Sequence, residues 1–237
     1  MTPLTSRQSE FIDSVLTLNP QVATFDCDGT LWSGDAGEGF FSWELNQKFV
    51  SDETARWVRQ RYADYKAGQV PEDVMCGEMV SMHRGLREEI VQQACDAFFA
   101  QSVAPYIFPE MRELVERLRA NACDVWAVSS SSQWIIRSAM RRFNIPQDRI
   151  LATEVAVENG IITDRLIRIP SGPGKSEALR SVLKSQPDCA FGNAIWDREM
   201  LAMSKHPFAI NPNPNLKEIA IAQGWKVYQP ESNNAAR

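Results

Sequence analysis

The stretch VATFDCDGTLW, Val22 to Trp32, drives four mostly apolar residues into two acids, Asp26 and Asp28, and then stops on Gly29-Thr30. A short apolar run closed by a turn signal predicts a buried strand, here QVATFDC over 21–27. Two carboxylates about 6 Å apart repel by roughly 3 kcal/mol at an effective dielectric of about 20. A buried strand that ends on such a pair needs positive charge beside it. Mg²⁺ supplies that charge and takes hard oxygen ligands, usually one or two carboxylates with waters and a substrate phosphate.

Outward from this strand, similar runs recur: CDVWAVS at 123–129, DCAFGN at 188–193, HPFAIN at 206–211 and WKVYQ at 225–229. Helical patterns separate most of them, as in PEMRELVERLRANA, where Met111, Leu114, Val115 and Leu118 follow the i, i+3, i+4, i+7 spacing. Strand and helix in alternation predict a parallel sheet between helices. TEVAVENGIITDRL breaks the pattern. Two alternating runs meet at Asn159-Gly160, which predicts an antiparallel hairpin near 152–169. Residues 36–104 carry helical spacing and no clear strand, and a structureless loop of that length does not suit a compact domain, so they read as an inserted helical subdomain. The glycines of GDAGEGFF read as its hinge and the tail ESNNAAR as frayed.

Composition narrows the class. A chain of 237 residues buries roughly 70–75% of its extended surface. No apolar run approaches the roughly 20 residues that span a bilayer. Thirty acidic residues against 25 basic ones give a net charge of −5, which leaves no general field for nucleic acid or anionic lipid. Arg137, Arg141 and Arg142 have the spacing of a solvated helix face. The opening MTPLTSRQSEFIDSVL lacks the pattern of a secretory signal, so a cytoplasmic location is expected. The five cysteines are scattered and odd in number, which suits reduced core thiols, Cys27 among them. Two histidines, His83 and His206, and no G-x-S-x-G argue against a histidine-rich zinc site or a serine-histidine relay.

In a parallel sheet, ligands gather beyond the carboxyl ends of the strands. There the proposed strands deliver Asp26 and Asp28, then Ser129 with Ser130 and Ser131, then Asn193 with Asp197 four residues on, while Lys175 follows PSGPG at a helix start. Acids, hydroxyls, an amide and an ammonium suit a phosphate dianion with a divalent cation. A carboxylate in such a site attacks phosphorus in line, and its neighbour protonates the leaving oxygen and later deprotonates water. One of Ser129 to Ser132 also caps the helix that follows. A nucleotide P-loop around Gly174-Lys175-Ser176 fails, because its first glycine would fall at Ile169.

FDCDGTLW, WAVSSSS, GPGK and GNAIWD, in that order, resemble the four motifs of the haloacid dehalogenase-like superfamily of phosphatases. The helical insertion after the first motif and IFPEMRELVERLRA before the second resemble its phosphoserine-phosphatase-like branch. The resemblance implies an α/β fold: a Rossmann-like parallel sheet core formed by 1–35 and 105–237, an all-helical cap at 36–104 and a small β-hairpin. It implies Mg²⁺ as cofactor, Asp26 as nucleophile and metal ligand, and Asp28 as general acid/base that also binds the metal through its carbonyl. Ser129 and Lys175 would hold phosphoryl oxygens. Asn193 would ligate the metal, and Asp197, counted with the metal site, would orient water or Lys175. Gly29 and Thr30 would shape the turn, with Thr30 and Ser130 on the substrate side.

Two positions depart from that family. Asn193 stands where an acid is usual, which removes one negative charge and weakens Mg²⁺ binding, and Trp196 replaces the Asn of the phosphoserine enzymes. Asp35 and Glu38, with Trp32, Trp43 and Trp196, suggest an acidic, aromatic pocket for a cationic head group. The expected activity is hydrolysis of a small phosphorylated metabolite. A phosphotransferase, a metal-independent dehalogenase and a non-catalytic metabolite-binding protein with a weakened metal site are the alternatives. No nucleic-acid or membrane partner is expected, and oligomeric state is left open.

Overall fold

The computed structural model of the protein describes residues 3–231; the expected fraying of the tail ESNNAAR falls, past Glu231, outside them. In chain order the elements are α1 (Ser6–Leu16), β1 (Val22–Phe25), α2 (Ala36–Asn46), α3 (Asp52–Lys66), α4 (Glu72–Ser81), α5 (Glu88–Phe98), α6 (Pro109–Ala120), β2 (Asp124–Ser132), α7 (Gln133–Met140), β3 (Ile150–Glu158), β4 (Ile161–Arg168), α8 (Pro173–Val182), β5 (Cys189–Gly192), α9 (Arg198–Ala202), β6 (His206–Ile210), α10 (Pro214–Ala222) and β7 (Lys226–Tyr228). Helix starts follow local chemistry. Thr5 and Gln8 form a capping box on α1, Pro109 opens α6, and Ser132 and Asn213 cap α7 and α10.

The seven strands form one sheet in the order β4-β3-β2-β1-β5-β6-β7. Every neighbouring pair is parallel except the β3–β4 hairpin. Its turn is the expected one: Asn159 and Gly160 both take positive φ, 52° and 78°. Strand alternation divides the core. Ala23, Phe25, Val125, Ala127, Phe191 and Phe208 pack with α1, α6 and α7, whereas Trp126, Val128, Ala190 and Ala209 pack with α8, α9 and α10. Phe25, Phe191 and Phe208 stack across three adjacent strands at 4.3 and 4.8 Å between centroids. Each such burial contributes about 1.5–3 kcal/mol, so the middle of the sheet is its firmest part.

Helices α2 to α5 fill the insertion after β1. Phe41, Leu45, Val50, Val58, Val70, Met75 and Met82 make a separate apolar cluster there, while Ala36 and Phe40 of α2 join the main core. The hinge reading of GDAGEGFF changes, because Gly37 and Gly39 lie inside α2 and allow close packing against Ser131 and Phe98. Of the arginine face, Arg141 and Arg142 are exposed as expected, whereas Arg137 is half-buried on Glu88; Arg141, just past α7, also pairs with Asp96 of α5. No helix among the described residues is long and apolar enough to cross a membrane.

Candidate active site

Strand order reverses at β1, whose neighbours are β2 on one side and β5 on the other. Beyond their carboxyl ends opens the crevice where doubly wound sheets bind ligands. Asp26 leaves β1 there, its backbone N–H held by Phe191 O at 2.8 Å. Its Oδ1 accepts from Lys175 Nζ at 2.6 Å and its Oδ2 from Thr30 Oγ1 at 2.7 Å. Lys175 reaches in from the first turn of α8 and also donates to Asp197 Oδ1 at 2.6 Å. The other Asp197 oxygen accepts the N–H groups of Asn193 and Ala194, at 2.8 and 2.9 Å. This approach requires Gly192, since a Cβ there would fall 2.6 Å from Asp197 Cβ.

The three charges are nearly sealed from solvent: Asp26 is 5% exposed, Lys175 2% and Asp197 1%. Burial, then repulsion from Asp197, lifts the Asp26 carboxyl to about 6 against the pull of Lys175. Burial pulls Lys175 down, yet Asp197 and Asp26 together raise it above the ordinary lysine value. Lys175 is therefore a fixed cation.

Asp28 occupies a different environment. Its Oδ1 accepts from Trp32 Nε1 at 3.0 Å and from the Ala36 N–H, and its Oδ2 lies 2.7 Å from Ser131 Oγ. Burial, then the charge of Asp35, pushes its carboxyl up to about 8. Two acids two residues apart thus hold a proton with different affinity, because different partners surround them. Between them Cys27 is wholly buried in the core. Gly29, at φ 75°, turns the chain under Asn193, and a Cβ there would lie 1.8 Å from Asn193 Nδ2. Asn211 Nδ2 donates to Gly29 O at 3.1 Å and holds the turn from the far side.

A cavity of about 410 Å³ brings together Asp26, Asp28, Asp35, Ser130, Lys175, Asn193, Trp196 and Asp197. Other sequence-derived positions turn out differently. Thr30 is fully buried, so it orients Asp26 and does not meet substrate. Ser129 is 1% exposed and its hydroxyl accepts from Ser131 N–H, leaving Ser130 as the serine at the cavity wall. Asp197 accepts from Lys175 through one oxygen and from the Asn193 and Ala194 N–H groups through the other, which makes it the anchor of Lys175 and of the β5 turn.

The aromatic pocket is also corrected. Trp32 is buried edge-on to Phe99, and Trp43 stacks on Phe40; only Trp196 reaches the cavity. Asp35 caps α2 by accepting from Glu38 N–H at 2.7 Å, and Glu38 pairs with Lys66 at 3.3 Å. Sequence reasoning missed Asn211, Tyr65 and Glu72, and it brought Ser131 to the strand end without its hydrogen bond to Asp28. Ser131 carried a signal, the strand-period spacing from Ser129. Glu72 and Tyr65 carried none, because they arrive from inserted helices.

The sequence profile of the haloacid dehalogenase-like hydrolases matches residues 23–202. The chain belongs to that family. This haloacid dehalogenase-like hydrolase is 25% identical to a histidinol-phosphatase of Neisseria meningitidis serogroup C, over 87% of this chain and 97% of that one. Some other relatives are longer, and the chain spans 53% of one from Streptomyces azureus and 45% of one from Mycobacterium tuberculosis. In fold, it resembles a Bordetella pertussis protein of unknown function at a TM-score of 0.74, with 20% identity, 87% of this chain and 97% of that chain covered. It also resembles a substrate-bound phosphoserine phosphatase at a TM-score of 0.60, with 17% identity and coverage of 89% and 93%. The mostly parallel sheet with flanking helices is thus that of the haloacid dehalogenase-like hydrolases and of phosphoserine phosphatase.

Proposed function

We propose that this hydrolase is a Mg²⁺-dependent phosphatase that cleaves a small phosphomonoester through an aspartyl-phosphate on Asp26. The observation that carries the reading is the presence in one cavity of Asp26, held on Lys175, and half-buried Asp28, held separately by Trp32, Ala36 and Ser131. Among the described residues no group of three acidic, histidine or cysteine side chains gathers for a metal. The donor set that fits Mg²⁺ is mixed: the Asp26 carboxylate, the Asp28 carbonyl and the Asn193 amide oxygen, all hard oxygens around one cavity. Bound there, the cation would polarise the phosphoryl oxygens.

The chain's own residues do the rest. Thr30 and Lys175 fix the Asp26 carboxylate, so one oxygen attacks phosphorus without searching rotamers. The ester O–P bond breaks as the Asp26 O–P bond forms, and Asp28 gives its proton to the departing alcohol. Now a carboxylate, Asp28 takes a proton from water, whose oxygen attacks phosphorus and releases Asp26. Lys175 and Ser130, both lining the cavity, face the phosphoryl group in this reading.

Phosphate release from a panel of monoesters tests this. Histidinol phosphate and phosphoserine belong in the panel on the strength of the relatives' names, beside an aryl phosphate. Release is expected with Mg²⁺ and not with EDTA, and Asp26→Asn, which leaves Lys175 paired with Asp197, is expected to lower kcat by at least about 10³-fold while still folding. Undiminished turnover in that variant would remove the proposed nucleophile. Phosphate transferred to added alcohols instead of water would make the protein a phosphotransferase.

A further inference from the structure

The inserted helices enclose a second chamber of about 160 Å³ beside the catalytic cavity. The two spaces share Asp35, Tyr65, Glu72 and Ser130, so a molecule whose phosphate lies at Asp26 extends past that common rim. Glu72 stands on the rim as the first residue of α4. Its Oε1 accepts from Ser171 Oγ at 2.8 Å, which ties α4 to the loop ahead of Lys175. Its Oε2 is buried and has no hydrogen-bond donor among the described residues.

Charge around this oxygen is one-sided. Seven carboxyl groups line the two spaces, against two lysines and one histidine. Each basic group is already engaged: Lys175 on Asp26 and Asp197, Lys66 on Glu38 at 3.3 Å, and His83 on Glu44 at 2.6 Å. Lys66 is further held over the Tyr62 ring at 5.1 Å. No lining cation remains for Glu72, and none remains to receive a carboxylate on a substrate. Burial lifts the Glu72 carboxyl to about 7, against the pull of the Ser171 hydroxyl and of Lys175. Beyond the rim the chamber is walled by Phe41, Tyr62, Met75 and Met79, which accept a small apolar or ring-bearing group.

We propose that Glu72 is the residue that selects the alcohol part of the substrate: its free oxygen accepts from a substrate ammonium, so the preferred substrates are phosphate monoesters of amino alcohols that carry no free carboxylate. This rests on the phosphatase reading above. An ammonium supplies both the missing donor and the missing charge, whereas a hydroxyl supplies only the first. A carboxylate at the same place would face uncompensated acids, so repulsion works against it.

The test compares kcat/KM for 2-aminoethyl phosphate, 2-hydroxyethyl phosphate and phosphoserine in the wild type, Glu72→Gln and Glu72→Asp, with thermal unfolding of each. The wild type is expected to favour the amine over its hydroxyl analogue, and over phosphoserine, by about tenfold or more. Glu72→Gln is expected to cut the amine-to-hydroxyl ratio by about tenfold, and Glu72→Asp to restore part of it. A purely structural role would slow both esters alike and leave the ratio in place, which overturns the inference while the phosphatase stands. A wild type that favours phosphoserine or the hydroxyl ester overturns it without any variant. No turnover of any ester removes the phosphatase reading and this inference together.

Discussion

Lys175 Nζ lies 2.6 Å from Asp26 Oδ1 and 2.6 Å from Asp197 Oδ1, so one ammonium, 2% exposed, bridges two carboxylates that would otherwise repel each other. Removing one member of a buried ionic group leaves the others uncompensated, at a cost of about 3–5 kcal/mol. Lys175→Met is expected to lose that much stability in urea unfolding, along with phosphate release. Adding Asp197→Asn is expected to recover part of the stability and none of the activity. A single variant as stable as the wild type would show that the ion triad does not support the fold.

Thr30 bears on the same carboxylate from the other side. Its hydroxyl lowers the Asp26 pKa, and Thr30→Val removes that bond without opening a cavity. The acidic limb of the kcat/KM profile is expected to move to higher pH, and stability to fall by about 1–3 kcal/mol from the orphaned oxygen. An unmoved limb would mean that the limb does not belong to Asp26.

The two aspartates predict a bell-shaped profile. Activity needs Asp26 ionised and Asp28 protonated, so it rises through about 6 and falls through about 8. A neighbouring cation favours both carboxylate anions, so raising Mg²⁺ is expected to shift both limbs toward lower pH. In Asp28→Asn the alkaline limb is expected to vanish together with most of kcat on alkyl esters. Aryl esters, whose leaving groups need no proton, should suffer less. Equal losses on both ester types would count against Asp28 as the proton donor.

Asn193 offers a gain of function. Asn193→Asp keeps the side-chain shape over Gly29 and adds a negative charge to the hard-oxygen set. The Mg²⁺ concentration for half-maximal rate is expected to drop about tenfold, because ligand charge sets divalent-ion affinity. Titration of phosphate release with Mg²⁺ decides it; an unchanged midpoint would place the cation away from residue 193.

The architecture was legible because its signals are local. Apolar runs at 21–27, 123–129, 188–193, 206–211 and 225–229 each hold a strand, and Asn159-Gly160 turns the hairpin. Asp26, Asp28, Lys175, Asn193 and Asp197 were legible as neighbours because each follows the end of a strand or starts a helix, and a doubly wound sheet brings those ends together. The inserted helices were different. Which of their side chains turn inward depends on how four short helices pack, and residue type misleads there: Trp43 stacks on Phe40, while Tyr65 and Glu72 took the rim. The serines separate in a way the resemblance did not resolve: Ser129 is buried behind the wall, and Ser130, already placed on the substrate side, lines the cavity.

Asp28 receives one hydrogen bond from Ser131 of β2 and another from Ala36 at the start of α2. The proton donor is thereby spliced between the rigid sheet and the first inserted helix. Any displacement of α2 strips the donor of a ligand it needs when it is charged, so the helix that encloses the alcohol also governs how readily the acid lets its proton go. On the proposed mechanism, α2 ties enclosure of the alcohol to the proton affinity of Asp28.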